Sequence, residues 1–190
     1  MNVRRLALFF GLVLTAASVA EAMTVQAQLT YGSRQIRDGR IQSVFGKRPV
    51  IGFSLQAHLG KHLFAGVDFE HADRMSGVIG AYLNPAEFQL RGLDIFGGLE
   101  YEANLVSVYA KAGLGFYDYH LSIQNNPFTA AYPVDRVDLG GMAAVGVKFF
   151  PISKSFLVGE IKYVFLKVKP YEDRVDLSGL RLSAGFGIRL

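Results

Sequence analysis

The sequence predicts an all-β protein: an eight-stranded antiparallel up-and-down transmembrane β-barrel preceded by a cleavable signal peptide. Three observations carry this. The chain opens on a short charged-then-apolar leader. The remainder alternates apolar and polar residues with a period of two in eight separate runs. The joins between those runs alternate between short turns and long polar loops.

In the leader, Arg4 and Arg5 precede an uncharged apolar run from Leu6 to Ala17, too short to span a bilayer as a helix. Ala20-Glu21-Ala22 places small residues where a signal peptidase reads them. Residues 1–22 are therefore expected to be a signal peptide and residues 23–190 the mature barrel domain.

The eight runs follow in order. Val25, Ala27, Leu29 and Tyr31 oppose Gln26, Gln28 and Thr30. Ile51, Phe53, Leu55, Ala57 and Leu59 oppose Gly52, Ser54, Gln56 and His58. Leu63, Ala65, Val67 and Phe69 oppose Phe64, Gly66, Asp68 and Glu70. The fourth run sets Leu93, Ile95, Gly97, Leu99 and Tyr101 against Asp94, Phe96, Gly98 and Glu100. The fifth sets Val106 through Phe116 against Ser107, Tyr109, Lys111 and Tyr117. The sixth sets Val137 through Phe149 against Asp138, Met142 and Lys148, and the seventh Ile161, Tyr163 and Phe165 against Glu160 and Lys162. In the last, Leu180 to Leu190 alternates with Arg181, Ser183, two glycines and Arg189. Short joins fall at Gly60-Lys61, Glu102 to Asn104 and Phe150 to Ser155. Long ones fall at Ser33 to Arg48, Ala72 to Phe88, His120 to Arg136 and Val168 to Ser178.

Which face is wet decides the class. One parity holds Asp68, Glu70, Asp94, Glu100, Asp138 and Glu160 against Lys111, Lys148, Lys162, Arg181 and Arg189, among many glycines. The other is apolar through all eight runs. An eight-stranded lumen is narrow, so the glycine-rich charged parity is expected inside, as an ion-pair network, with the apolar parity against hydrocarbon. A basic residue on the lipid side at the midplane would cost about 2–4 kcal/mol. Aromatic residues at both ends of the strands are expected to form girdles, with Tyr101, Phe149, Phe150 and Phe156 on the turn side and Tyr31, Phe69, Phe116, Tyr163 and Phe165 on the loop side.

The leader, the eight runs and the closing Ser183-Ala184-Gly185-Phe186-Gly187-Ile188-Arg189-Leu190 resemble the small eight-stranded outer-membrane barrels, the group containing the OmpA membrane domain, OmpX and the opacity proteins. Ile188 and Leu190 stand where that group usually carries the aromatic residues read by the barrel-assembly machinery. The resemblance implies location in the bacterial outer membrane and contact with its lipid and lipopolysaccharide.

Function is then expected in the four long loops, as a structural, adhesive or surface-recognition role with a possible host or matrix ligand. Arg34, Arg37, Arg40, Lys47 and Arg48 make the first loop basic and are candidate lipopolysaccharide contacts. Asn125-Asn126-Pro127-Phe128 and Tyr132-Pro133 mark the third loop for ligand or partner contact.

No enzyme is expected. The alternative is a lipid A-modifying hydrolase: His120-Leu121-Ser122 resembles the His-x-Ser of a lipid A deacylase of this barrel class, with Asp135 and Asp138 near. Ile123 and Gln124 stand where that pattern has Asn and Gly. A soluble, lipocalin-like exported carrier is a third reading. The absence of cysteine excludes disulfides and thiolate metal sites. His58 and His62 flank a turn without a third ligand, so no metal and no cofactor is expected. A net charge of +4 gives no argument for nucleic acid.

Overall fold

The computed structural model describes residues 24–79, 84–123, 132–169 and 174–190. The leader expected over 1–22 and the third-loop residues Asn125 to Phe128 lie outside these, as do the side chains of Tyr132 and Pro133. Eight long strands form the wall: β1 (Val25–Ile36), β2 (Arg48–His58), β3 (Leu63–His71), β5 (Asn84–Ala103), β6 (Val106–Ile123), β7 (Tyr132–Ile152), β8 (Ser155–Phe165) and β11 (Gly179–Arg189). Each pairs antiparallel with its neighbours in the chain, β1 pairs β11 from Gln26↔Arg189 to Ile36↔Gly179, and β3 pairs β5 from Leu63↔Leu99 to His71↔Arg91. The eight-stranded wall therefore closes on itself over the lengths so paired, which satisfies the backbone in a medium without water.

The alternation sets the two faces as the sequence predicts. Leu182 and Phe186 point outward at 51% and 59% exposure, while Arg181 between the same strands is 3% exposed. The reversed packing of a soluble carrier is thereby overturned. At the turn side, Asn104 takes the left-handed conformation (φ 54°) in the tight β5–β6 turn, a backbone position Asn tolerates.

Three expectations need correction. The long joins are partly ordered. The first carries helix α1 (Gly39–Phe45), capped by Asp38, whose carboxylate accepts from the Arg40 backbone N–H. The second carries β4 (Met75–Ile79), paired with β5 from Met75↔Phe88 to Ile79↔Asn84. The fourth carries β9 (Lys167–Val168) paired with β10 (Val175–Asp176). The strands also run further outward than the alternation suggested, because the polarity of their faces inverts partway along. On β5 and β6, inward Asp94 and Lys111 give way to inward Leu90, Phe88, Tyr119 and Leu121, while outward Leu114 and Phe116 give way to outward Arg91, Asp118 and His120. Below that level the outside is oily, as lipid requires. Above it the inside is oily, as water requires. Finally, Phe150 and Phe156 do not join the girdle. They share the parity of Lys148 and Glu160, are 4% and 1% exposed, and pack as tilted rings, centroids 5.2 Å apart at 46°, at the turn end of the lumen.

Candidate functional site in the lumen and at the outer mouth

The lumen is filled in layers. At mid-height, Lys162 Nζ lies 2.5 Å from Asp94 Oδ2, 2.6 Å from Glu70 Oε1 and 3.3 Å from Asp68 Oδ2. Lys111 Nζ bridges Asp68 and Glu160, each at 2.8 Å. Arg181 donates to Glu70 and to the Thr30 hydroxyl, both at 2.6 Å. Tyr117 donates to Asp94 (2.5 Å) and Tyr109 to Glu160 (2.7 Å). All these charged side chains are buried. Burial without partners would cost several kcal/mol per charge, roughly the scale on which whole domains are stable, so the short mutual contacts are what the confined space demands.

A second cluster sits nearer the turns. Lys148 Nζ is 2.6 Å from Glu100 Oε2 and donates to Gln26 Oε1 at 2.8 Å, and Ser107 donates to Glu100 Oε1 at 2.6 Å. His58 Nε2 is 3.5 Å from the same carboxylate, and His62 Nδ1 is 3.2 Å from the Glu100 carbonyl. Glycine gives these chains their room: a Cβ on Gly146 would lie 2.4 Å from the Tyr109 ring that fills the space between the two clusters.

Two residues expected in the network stand apart. Asp138 is half-buried and makes no ion pair among the described residues. Arg189 is at the turn-side rim, paired with Glu102 at 2.7 Å and lying over the Phe150 ring at 4.4 Å.

Above the network the lumen is packed largely with apolar side chains. Ile36, Phe88, Leu90, Tyr119, Leu121, Val164, Leu166 and Leu177 pack together, and α1 covers them with Ile41 and Phe45. Burial works against the charge of the Asp38 cap, but the bonds from the Arg40 side chain and backbone, with the guanidinium charge, outweigh it and hold this carboxyl below its usual range. This cover corrects the basic-loop expectation. Arg37, Arg40 and Lys47 are exposed, Arg40 pairing with Asp38 at 3.2 Å. Arg34 and Arg48 instead point inward, 3% and 1% exposed. They face each other across β1 and β2, where aromatic faces and a buried carboxylate hold them. Arg34 lies 3.6 Å from Glu70 and 5.9 Å from the Tyr117 ring, and Arg48 lies 3.8 Å from the Phe88 ring.

On the outer wall, His120 Nδ1 lies 2.6 Å from Asp135 Oδ1, its register partner. Ser122 shares that face of β6 but makes no hydrogen bond to the imidazole among the described residues. Arg74, Gln89, Arg91 and Asp118 complete a small polar hollow there. No group of three or more metal-ligating side chains occurs among the described residues.

A closed barrel with apolar walls, a salt-bridged interior and polar ends is a membrane-spanning barrel of the bacterial outer membrane. The chain belongs to the family described as outer membrane protein beta-barrel domain, which it matches over residues 6–189. No curated protein matches it. Among solved structures it is similar to the attachment invasion locus protein Ail of Yersinia pestis in complex with the heparin analogue sucrose octasulfate, with 11% identity over 88% of this chain and 97% of that one and a TM-score of 0.56. It is also similar to the neisserial surface protein NspA, at 13% identity over 88% and 97% with a TM-score of 0.59. A third is the outer membrane protein OprG of Pseudomonas aeruginosa, at 10% identity over 88% and 95% with a TM-score of 0.61. At these identities the likeness is one of fold.

Proposed function

We propose that this barrel is a closed anchor whose work is done at its outer face, where the first connection recognises anionic groups such as lipopolysaccharide phosphates or sulfated glycans. One observation carries the reading: α1 is fixed to the barrel by Ile41 and Phe45, so Arg37, Arg40 and Lys47 around it are exposed from a rigid base rather than a floppy loop. The buried side-chain layers support it further, since an eight-stranded barrel encloses only enough room for side chains to fill. The heparin analogue bound to Ail fits the same ligand chemistry. Changing Arg37, Arg40 and Lys47 together to Gln is expected to weaken retention on immobilised heparin and lipopolysaccharide about tenfold, near 1.4 kcal/mol. Heat-dependent gel mobility should stay unchanged. Full retention by the triple variant would remove the reading.

The His120–Asp135 contact favours a second reading, hydrolysis of a lipid A acyl ester, with Ser122 as nucleophile. Against it, the serine and the imidazole occupy successive outward positions of one strand, about 6–7 Å apart along it. Incubation with lipid A is expected to release no 3-hydroxy fatty acid. Release abolished by Ser122→Ala would install the enzyme in place of the anchor.

A further inference from the structure

The mouth contains a buried cation to which the described residues offer no acceptor. Arg48 is 1% exposed, and its Cζ lies 3.8 Å from the centre of the Phe88 ring and 5.2 Å from that of Phe45. Rings stack on the faces of a guanidinium, but its five N–H bonds point outward in its plane. Stacking therefore leaves those donors unserved, and Nε, Nη1 and Nη2 of Arg48 all lack an acceptor among the described residues.

The neighbourhood deepens the imbalance. Arg34 stands directly opposite in the β1–β2 register, itself 3% exposed, with its Nε also without an acceptor. Its nearest carboxylate, Glu70 at 3.6 Å, already serves Lys162 and Arg181 at 2.6 Å each. Like charges placed opposite one another on a sheet repel. An arginine cannot shed its proton to relieve this, and a buried charge without a counter-charge is strongly disfavoured.

We propose that Arg48, with Arg34 beside it, forms an internal site for a small free oxyanion of the phosphate or sulfate class. The planar fork of Arg48 suits two oxygens of such an ion better than a spherical halide. The Arg48 side chain is 1% exposed between the Phe88 and Phe45 rings, and Phe45 belongs to the α1 cover, so only a compact guest suits it. A free ion rather than a headgroup tethered in the outer leaflet is the guest that so deeply buried a side chain suits. This site is separate from the exposed bases proposed above to meet surface polyanions.

The test uses the mature chain folded in detergent and titrated calorimetrically with inorganic phosphate, then with sulfate. Wild type is expected to show one saturable site. Arg48→Met, which keeps length and packing but removes the fork, should bind at least tenfold more weakly, while the Arg37, Arg40 and Lys47 triple variant should bind as wild type does. No saturable binding, or equal binding by Arg48→Met, overturns the proposal and marks any heat as surface association. Should Arg48→Met fail to fold, crystals of wild type soaked in selenate decide the matter. An anomalous peak within hydrogen-bond reach of the Arg48 nitrogens supports the site, and peaks confined to the exterior, or none, overturn it.

Discussion

Replacing Lys162 with Met is expected to lower the stability of the folded barrel by about 3–5 kcal/mol, the usual cost of removing one partner from a buried ion cluster. Denaturant unfolding from lipid vesicles would measure it. The partners differ in what they have left. Among the described residues, Asp68 keeps Lys111, and Glu70 keeps Arg181 and Arg34, whereas Asp94 keeps the Tyr117 hydroxyl alone. The damage should therefore concentrate on Asp94. Adding Asp94→Asn to the Lys162→Met background is expected to restore most of the loss, and a double-mutant cycle would give a large coupling. A loss under about 1 kcal/mol for the single change would mean that water reaches the cluster and screens it.

The lipid face supplies the second large effect. Val145 and Val137 are both outward residues of β7, 54% and 62% exposed, but Val145 lies within the apolar band and Val137 is paired in register with Asp118, just beyond the Phe116 level. Val145→Arg is expected to cost about 2–4 kcal/mol and Val137→Arg only about 0–1 kcal/mol, because the penalty for a cation falls steeply toward the interface. Equal costs at the two depths would place the hydrocarbon boundary elsewhere on the barrel.

The alternation was legible wherever two different media touch the two faces of a strand, and for this reason the barrel class and its orientation follow from the order of residues. In the membrane-embedded part, lipid rejects what the lumen requires. Lys111 and Leu114, or Arg181 and Leu182, could not exchange places. Beyond the girdle the rule reverses, and a reading that expects a constant sense takes the reversal for the end of the strand. Leu90 and Phe88 continue the inward parity of Asp94, and His120 and Asp118 continue the outward parity of Phe116. The phase was unbroken and only the polarity changed sign, so the signal was present. Phe150 and Phe156 were legible in the same way, from the parity of Lys148 and Glu160.

The inward turn of Arg34 and Arg48 was partly open to parity, since Arg34 continues Gln26, Gln28 and Thr30. What holds them is not local. Phe88, Tyr117 and Glu70 come from strands far along the chain, and a run of bases between two strands reads as solvated charge until those partners are known. The seven-residue helix is below the length at which helical periodicity is reliable, although Asp38 marks its start.

The reversal of polarity has a consequence for how the molecule keeps its final position. Arg91, Asp118 and Lys167 lie on the exterior beyond the girdle, so drawing this collar into the greasy layer is expected to be costly. The outer collar is therefore expected to slow the barrel's departure from the bilayer, holding it by a barrier as well as by depth of binding.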